Sequence, residues 1–293
     1  MPALFTSNLS LDVETAPSRH LWRRLAKRRG AIFGLAAVAF FVAIALLAPW
    51  IAPYDPLATS FSAVRKAPSL AHLFGTDDIG RDVLSRVIWG TRASLAAGVV
   101  SVSIAISLGV PIGLLAGYAG GWTDGVISRI TDAVLACPFL ILAIALAAFL
   151  GPNLTNAMIA IGVTATPIFI RLTRGQVLAV KVEDYIEAAR ALGNPHLRIV
   201  LRHILPNVVA PLIVQATLAI AAAVIAEASL SFLGLGQQPP APSWGSMLNT
   251  AKNYVENAPW MALWPGASIF LLVLSFNLLG DGLRDALDPR HVS

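Results

Sequence analysis

The chain has 293 residues and a formal net charge of +5; it is 56% hydrophobic and 13% charged, with mean hydropathy +0.71. Soluble domains carry about 25% charged residues, which excludes an ordinary water-soluble fold. The basic balance is that of loops held on the inner side of a membrane rather than of a nucleic-acid surface.

Apolar residues gather in runs of about 20, enough to cross a hydrocarbon core of about 30 Å, without the alternating ten-residue segments of an outer-membrane barrel. The single Cys137 cannot form an intrachain disulfide. Residues 1–29 are expected to form a cytoplasmic N-terminal tail. In it Arg19, Arg23, Arg24, Lys27, Arg28 and Arg29 crowd against the first apolar run, 30–52, and place the N-terminus inside. That run is too long for a signal-peptide core, so residues 30–92 read as an uncleaved anchor plus an extracytoplasmic loop that opens at Pro53-Tyr54-Asp55-Pro56. Within the loop Gly75-Thr76-Asp77-Asp78 reads as a helix start, after which Ile79, Val83, Val87 and Ile88 share a face. The expectation is a short interfacial helix with Trp89 at headgroup level. Asp77, Asp78 and Asp82 read as caps and solvated charges rather than metal ligands. Arg65, Lys66, Arg81 and Arg86 sit outside against the charge rule, where the first span's basic flank dominates.

Residues 93–283 read as the transmembrane core. Span two, 93–119, carries a small residue at every fourth position: Ala93, Ala97, Ser101, Ala105, Gly109, Gly113, Gly117 and, just past its end, Gly121. Such an edge lets helices approach closely in lipid, so Ala105, Gly109, Gly113 and Gly117 are expected to pack a helix of this chain or of a second subunit. Span three, 133–150, begins after Asp132; span four, 156–172, contains Pro167; span six is 260–279. Span five starts after Pro206, capped by Asn207, and reaches 233. Glu227 lies about 20 residues along it, about 30 Å from its start, and reads as a structural or gating hydrogen bond rather than a proton relay. Six spans leave the 173–206 loop and the 284–293 tail in the cytoplasm, which the loop's Arg174, Lys181, Arg190, Arg198 and Arg202 support.

Between spans four and five the sequence KVEDYIEAARALGNPHLRIVLRHILPN forms a polar interruption. Tyr185, Ala188, Ala189 and Leu192 fall on one face of a short helix, with Glu183, Glu187 and Arg190 towards the other. Gly193 can close that helix in the left-handed conformation, and Asn194-Pro195 can open a second. In the second helix Leu197, Val200, Leu201 and Ile204 make an apolar stripe. A helix–turn–helix of this kind either rests in the headgroups or docks a protein; the acids of the first helix and its paired alanines favour docking. His203 reads as part of that surface rather than as a ligand.

Glu187-Ala188-Ala189, then Gly193, then His203-Ile204-Leu205-Pro206 resembles the EAA loop of ABC importer permeases. The family pattern usually has an aliphatic residue where His203 stands, and peptide-transporter members often carry His there. Residues 74–86, FGTDDIGRDVLSR, are similar to the signature of the dipeptide/oligopeptide permease C-type subunits, as are Glu227–Gly236 and Pro242-Ser243-Trp244-Gly245. The resemblance implies a bacterial inner-membrane importer for di- or oligopeptides, with nickel chelates, glutathione or haem as other cargoes of the subfamily. It also implies a second, B-type permease, two cytoplasmic ATPases that bind ATP and Mg, and an extracytoplasmic binding protein. In that family the EAA loop is the ATPase-coupling helix, which assigns Tyr185, Glu187, Ala188, Ala189, Leu192, Gly193 and Pro206 to docking. The chain has no G-x-x-x-x-G-K-[ST] phosphate loop, so it is expected to be non-catalytic and to hold no cofactor of its own. A stand-alone ion-driven carrier fits less well: it would carry midplane carboxylates and an internal repeat. A non-transporting scaffold would not need the polar knob.

Overall fold

A computed structural model of the chain describes residues 28–287. The basic tail residues before Arg28 and the segment 288–293 lie outside this range. Helices α1 (Arg29–Ile51), α2 (Val83–Ala119), α3 (Gly121–Leu135), α4 (Phe139–Leu150), α5 (Leu154–Val180) and α6 (Asp184–Ala191) are followed by α7 (His196–Phe232), α8 (Trp244–Ala251) and α9 (Trp260–Leu287). Among the described residues α1, α2, α5, α7 and α9 are each long and apolar enough to cross a membrane, and the bent pair α3–α4 makes a sixth crossing if counted as one span.

Several boundaries differ from the sequence expectation, each for a local reason. The surface helix expected from Gly75 onward does not form. Residues 77–82 make a turn instead, with the Asp77 carboxylate accepting from the Ile79 and Arg81 amides and Gly80 at φ +82°. The helix starts at Val83, where the Asp82 side chain accepts from the Ser85 amide at 2.8 Å. From there α2 runs unbroken for 37 residues, about 55 Å, so Val83, Val87 and Ile88 belong to its first turns and are buried.

Nor are the loop's acids solvated as expected. Asp77 and Asp82 are buried, Asp77 against Arg81 Nε at 2.6 Å and Asp82 against His72 Nδ1 at 3.0 Å. The Arg86 guanidinium donates to the Pro56 carbonyl at 2.9 Å. These arginines are structural ties within the described residues.

Span three is likewise not one straight helix over 133–150. Pro138, which has no N–H to donate, follows a bend of 89° between α3 and α4. Asp132 therefore lies late in α3, where it pairs with Arg171 of α5.

The α2 edge meets α5. A Cβ on Gly109, Gly113 or Gly117 would fall 2.6–2.7 Å from Phe169, Thr173 and Val177 respectively. Ala97, Ser101 and Ala105 above them are fully buried. The approach is reciprocal: a Cβ on Gly162 of α5 would lie 2.7 Å from the Ser101 carbonyl. One apolar core joins α2, α5 and α7, and a second joins α1, the start of α2, α8 and α9. Arg28 pairs with Asp285, which sets the start of α1 beside the end of α9, at the same end as the polar interruption between α5 and α7.

Candidate functional site: a knob between two spans

The helix α6 has acids in its first turn, Asp184 and Glu187, and Arg190 in its last, the order that suits the helix dipole. It ends in a paired-bond closure. The Gly193 amide donates to the Arg190 carbonyl at 2.9 Å and the Asn194 amide to the Ala189 carbonyl at 3.2 Å, with Gly193 at φ +73°. The Asn194 side chain adds a donation to the same Ala189 carbonyl at 3.0 Å. It thus closes the first helix and does not cap the second, whose N-cap position is held by Pro195 without a side-chain bond.

The second helix is also not a separate piece. It continues from His196 to Phe232 through a wide turn at Ile199–Ile204, where the Leu205 amide reaches back to the Val200 carbonyl. Pro206 follows directly and has no N–H to give, so a single widened turn precedes it. Pro206 and Asn207 are therefore interior to α7: Pro206 is exposed and does not close the loop, and Asn207 donates to the His203 carbonyl in place of capping a new helix.

The two faces of the knob separate clearly. Ile186, Ile199 and Ile204 are fully buried and Ala189 is 6% exposed, all packed into the α2–α5–α7 core. The expectation that Ala189 shares the outer face with Tyr185, Ala188 and Leu192 is thus corrected. Glu187, Ala188 and Gly193 are exposed, as are Tyr185 at 45% and Leu192 at 83%. On the second helix Leu197 and Leu201 are exposed as well, so only part of its apolar stripe is covered within the chain. Burial, and then Glu183, push the Tyr185 phenol above its ordinary value, so it remains a neutral hydroxyl at physiological pH.

Contacts with the end of α2 that the sequence reading did not foresee hold the knob in place. Lys181 Nζ donates to the Gly117 carbonyl at 2.8 Å, and the Tyr118 hydroxyl meets His196 Nδ1 at 2.7 Å. Arg190 lies 5.7 Å over the Tyr118 ring. The last turn of α2 therefore grips both helices of the knob. The signal available in sequence was position alone, since Tyr118 directly follows the last buried glycine of the ridge.

Residues 109–292 match a family described as the binding-protein-dependent transport system inner membrane component. The chain belongs to this permease family. Residues 17–68 of the permease also match the N-terminal TM domain of oligopeptide transport permease C. It is 48% identical to the dipeptide transport system permease protein DppC of Alkalihalophilus pseudofirmus, covering 95% of this chain and 91% of the relative. The di/tripeptide permease DppC of Pseudomonas aeruginosa is 45% identical, with 95% and 94% covered. The glutathione permease GsiD of Shigella flexneri is 48% identical, with 95% and 92% covered. The inward-facing MetNI methionine ABC transporter superposes at a TM-score of 0.58, covering 69% of this chain and 96% of that one at 23% identity, a likeness of fold. The permease is accordingly a multi-pass inner-membrane protein.

At the end opposite the knob, the permease buries Glu227 completely. Its carboxyl accepts from Ser231 Oγ at 2.6 Å and from Ser94 Oγ of α2 at 3.3 Å. Ser231 Oγ in turn accepts from the Gln237 amide in the loop to α8. Nearby, Trp244 Nε1 donates to the Val87 carbonyl of α2 at 3.0 Å. Glu227 is thus the centre of a buried hydrogen-bonded network joining α2, α7 and the α8 loop.

Proposed function

We propose that the chain is one of two permease subunits of an ATP-driven peptide importer, and that the knob is its coupling helix for a cytoplasmic ATPase. The knob is the observation that carries this reading. A short helix turns Tyr185, Ala188 and Leu192 outward, ends at a left-handed glycine, and connects without a break to a membrane-crossing helix. A partner seated on that surface moves α5 and α7 together, because the buried Ile186 and Ile199 belong to the same apolar core as both helices. Closure of an ATPase pair would then tilt the spans and alternate access to the pathway. The knob end and both termini lie in the cytoplasm, and the Glu227 end faces an extracytoplasmic binding protein.

ATP and Mg are held by the ATPases; this chain translocates without catalysing and carries no cofactor. The cargo is a short peptide. Relatives named for dipeptide, di/tripeptide and glutathione transport stand at similar identity, and glutathione is itself a tripeptide. The test is uptake by vesicles holding this chain, its B-type partner, both ATPases and the binding protein. ATP-dependent uptake of a labelled dipeptide, competed by tripeptides, is expected. Uptake driven by a proton gradient without ATP would overturn the reading, and competition by glutathione alone would narrow the cargo to it.

A further inference from the structure

The bent pair α3–α4 is attached to the knob's base by an unusual arrangement. Arg174, two turns before the end of α5, makes a two-pronged pair with Asp124 in the first turn of α3: its Nε meets Oδ1, and its Nη2 meets Oδ2 at 2.7 Å. The two side chains are 33% and 19% exposed, and Ser128 donates to the same carboxylate at 3.2 Å. Forked pairs of this kind fix orientation as well as distance. By contrast the Arg171–Asp132 pair further along α3 is about 60% exposed on both sides and contributes little to holding the helices. Behind α3 the packing is open. An open apolar groove of about 340 Å³ lies between α2, α3, α4 and α5, walled on the α3–α4 side by Ile130, Val134, Leu142 and Leu146.

We propose that the Asp124–Arg174 pair is a transmission clamp: it makes the bent α3–α4 pair follow α5 when the knob is pushed, so that docking motion is converted into movement of the wall of this groove. The geometry gives the clamp that task for three reasons. α3 is separated from α2 by Gly120 and Gly121, both at positive φ, which leaves a swivel at its start. The 89° bend at Ala136–Pro138 provides a second swivel at its end. Between these swivels the forked pair sits about two turns from Lys181, where the knob begins.

This proposal rests on the coupling role given to the knob. Asp124 and Arg174 are positioning residues, and their signature is the ratio of peptide taken up to ATP hydrolysed in the reconstituted importer. Asp124→Asn and Arg174→Gln should assemble at normal levels and hydrolyse ATP, while uptake per ATP falls about threefold or more. The double reversal, Asp124→Arg with Arg174→Asp, should recover part of that ratio, and Arg171→Gln should leave it unchanged. Unchanged uptake per ATP in Asp124→Asn overturns the clamp while leaving the coupling role intact. Uptake and hydrolysis falling in step with membrane level overturns it too, because that is a purely structural role. A wild-type importer without ATP-driven uptake removes the functional reading itself, and the clamp with it.

Discussion

Gly193 occupies a left-handed position at φ +73°, and a Cβ placed there would meet nothing within 4 Å. The space is open, so only the backbone resists a side chain. Gly193→Val should cost about 1 kcal/mol or more at that turn and skew α6 against α7. We expect normal membrane levels, loss of ATPase copurification and loss of uptake; retained copurification would show that the turn does not set the docking geometry. Ala189 behaves differently because it is buried. Ala189→Glu forces a charge into the core and should lower the amount of folded permease, measured by detergent-resistant monomer. Leu192→Asp changes a side chain that is 83% exposed. It should leave folding intact while abolishing ATPase binding, and wild-type binding by this variant would refute an apolar docking face.

Helix by helix, the clearest test is the α2–α5 contact. Even a single methyl on Gly113 would lie 2.6 Å from the Thr173 Cβ and 2.7 Å from the Ile170 carbonyl, so Gly113→Leu would drive a whole side chain into α5. Overpacking of this kind costs about 1–3 kcal/mol, so the melting temperature of the purified permease should fall, whereas Leu115→Phe on an exposed edge should leave it unchanged. In a chain with Cys137 replaced by serine, cysteines at 109 and 113 should resist lipid-phase reagents and those at 108 and 115 should react. Reactivity in the reverse order would detach the glycine edge from α5. The edge was legible in sequence because a period of four small residues has few other uses in a membrane helix; which helix it meets was not, since any span could have filled it. Ile104, one turn along from Ser101 on the adjoining row, also meets Gly162. The α3–α4 bend was hidden for another reason: hydropathy reports apolar length, while the break comes from Pro138 and the polar first half held by Asp124 and Asp132. The fusion of the second knob helix with α7 was masked by Pro206, which usually ends a helix and is here absorbed by one widened turn.

For the whole molecule, composition and the order of apolar runs were enough to read an all-helical membrane protein with a polar knob, because burial in lipid leaves so few alternatives. The inner and outer faces of the knob were only partly readable. A period of 3.6 says which residues share a side but does not say which side the rest of the chain covers, and Ile186 and Ala189 took the covered one. The single chain also leaves apolar surface uncovered on several spans: Leu115 on α2 is 55% exposed, Ile141 on α4 64% and Phe270 on α9 65%. Lipid can solvate those side chains, but one copy of six crossings does not enclose a path for a hydrated peptide, which needs polar surface on all sides. On the proposed function, a second permease would supply the remaining wall. The match of residues 17–68 to a permease-C domain makes a non-identical partner the expected one. Vesicles containing this chain, both ATPases and the binding protein, but no B-type permease, should therefore show no ATP-dependent dipeptide uptake. Adding the B-type subunit should restore it. Full uptake before that addition would mean that two copies of this chain close the pathway by themselves, and the heteromeric arrangement would have to be abandoned.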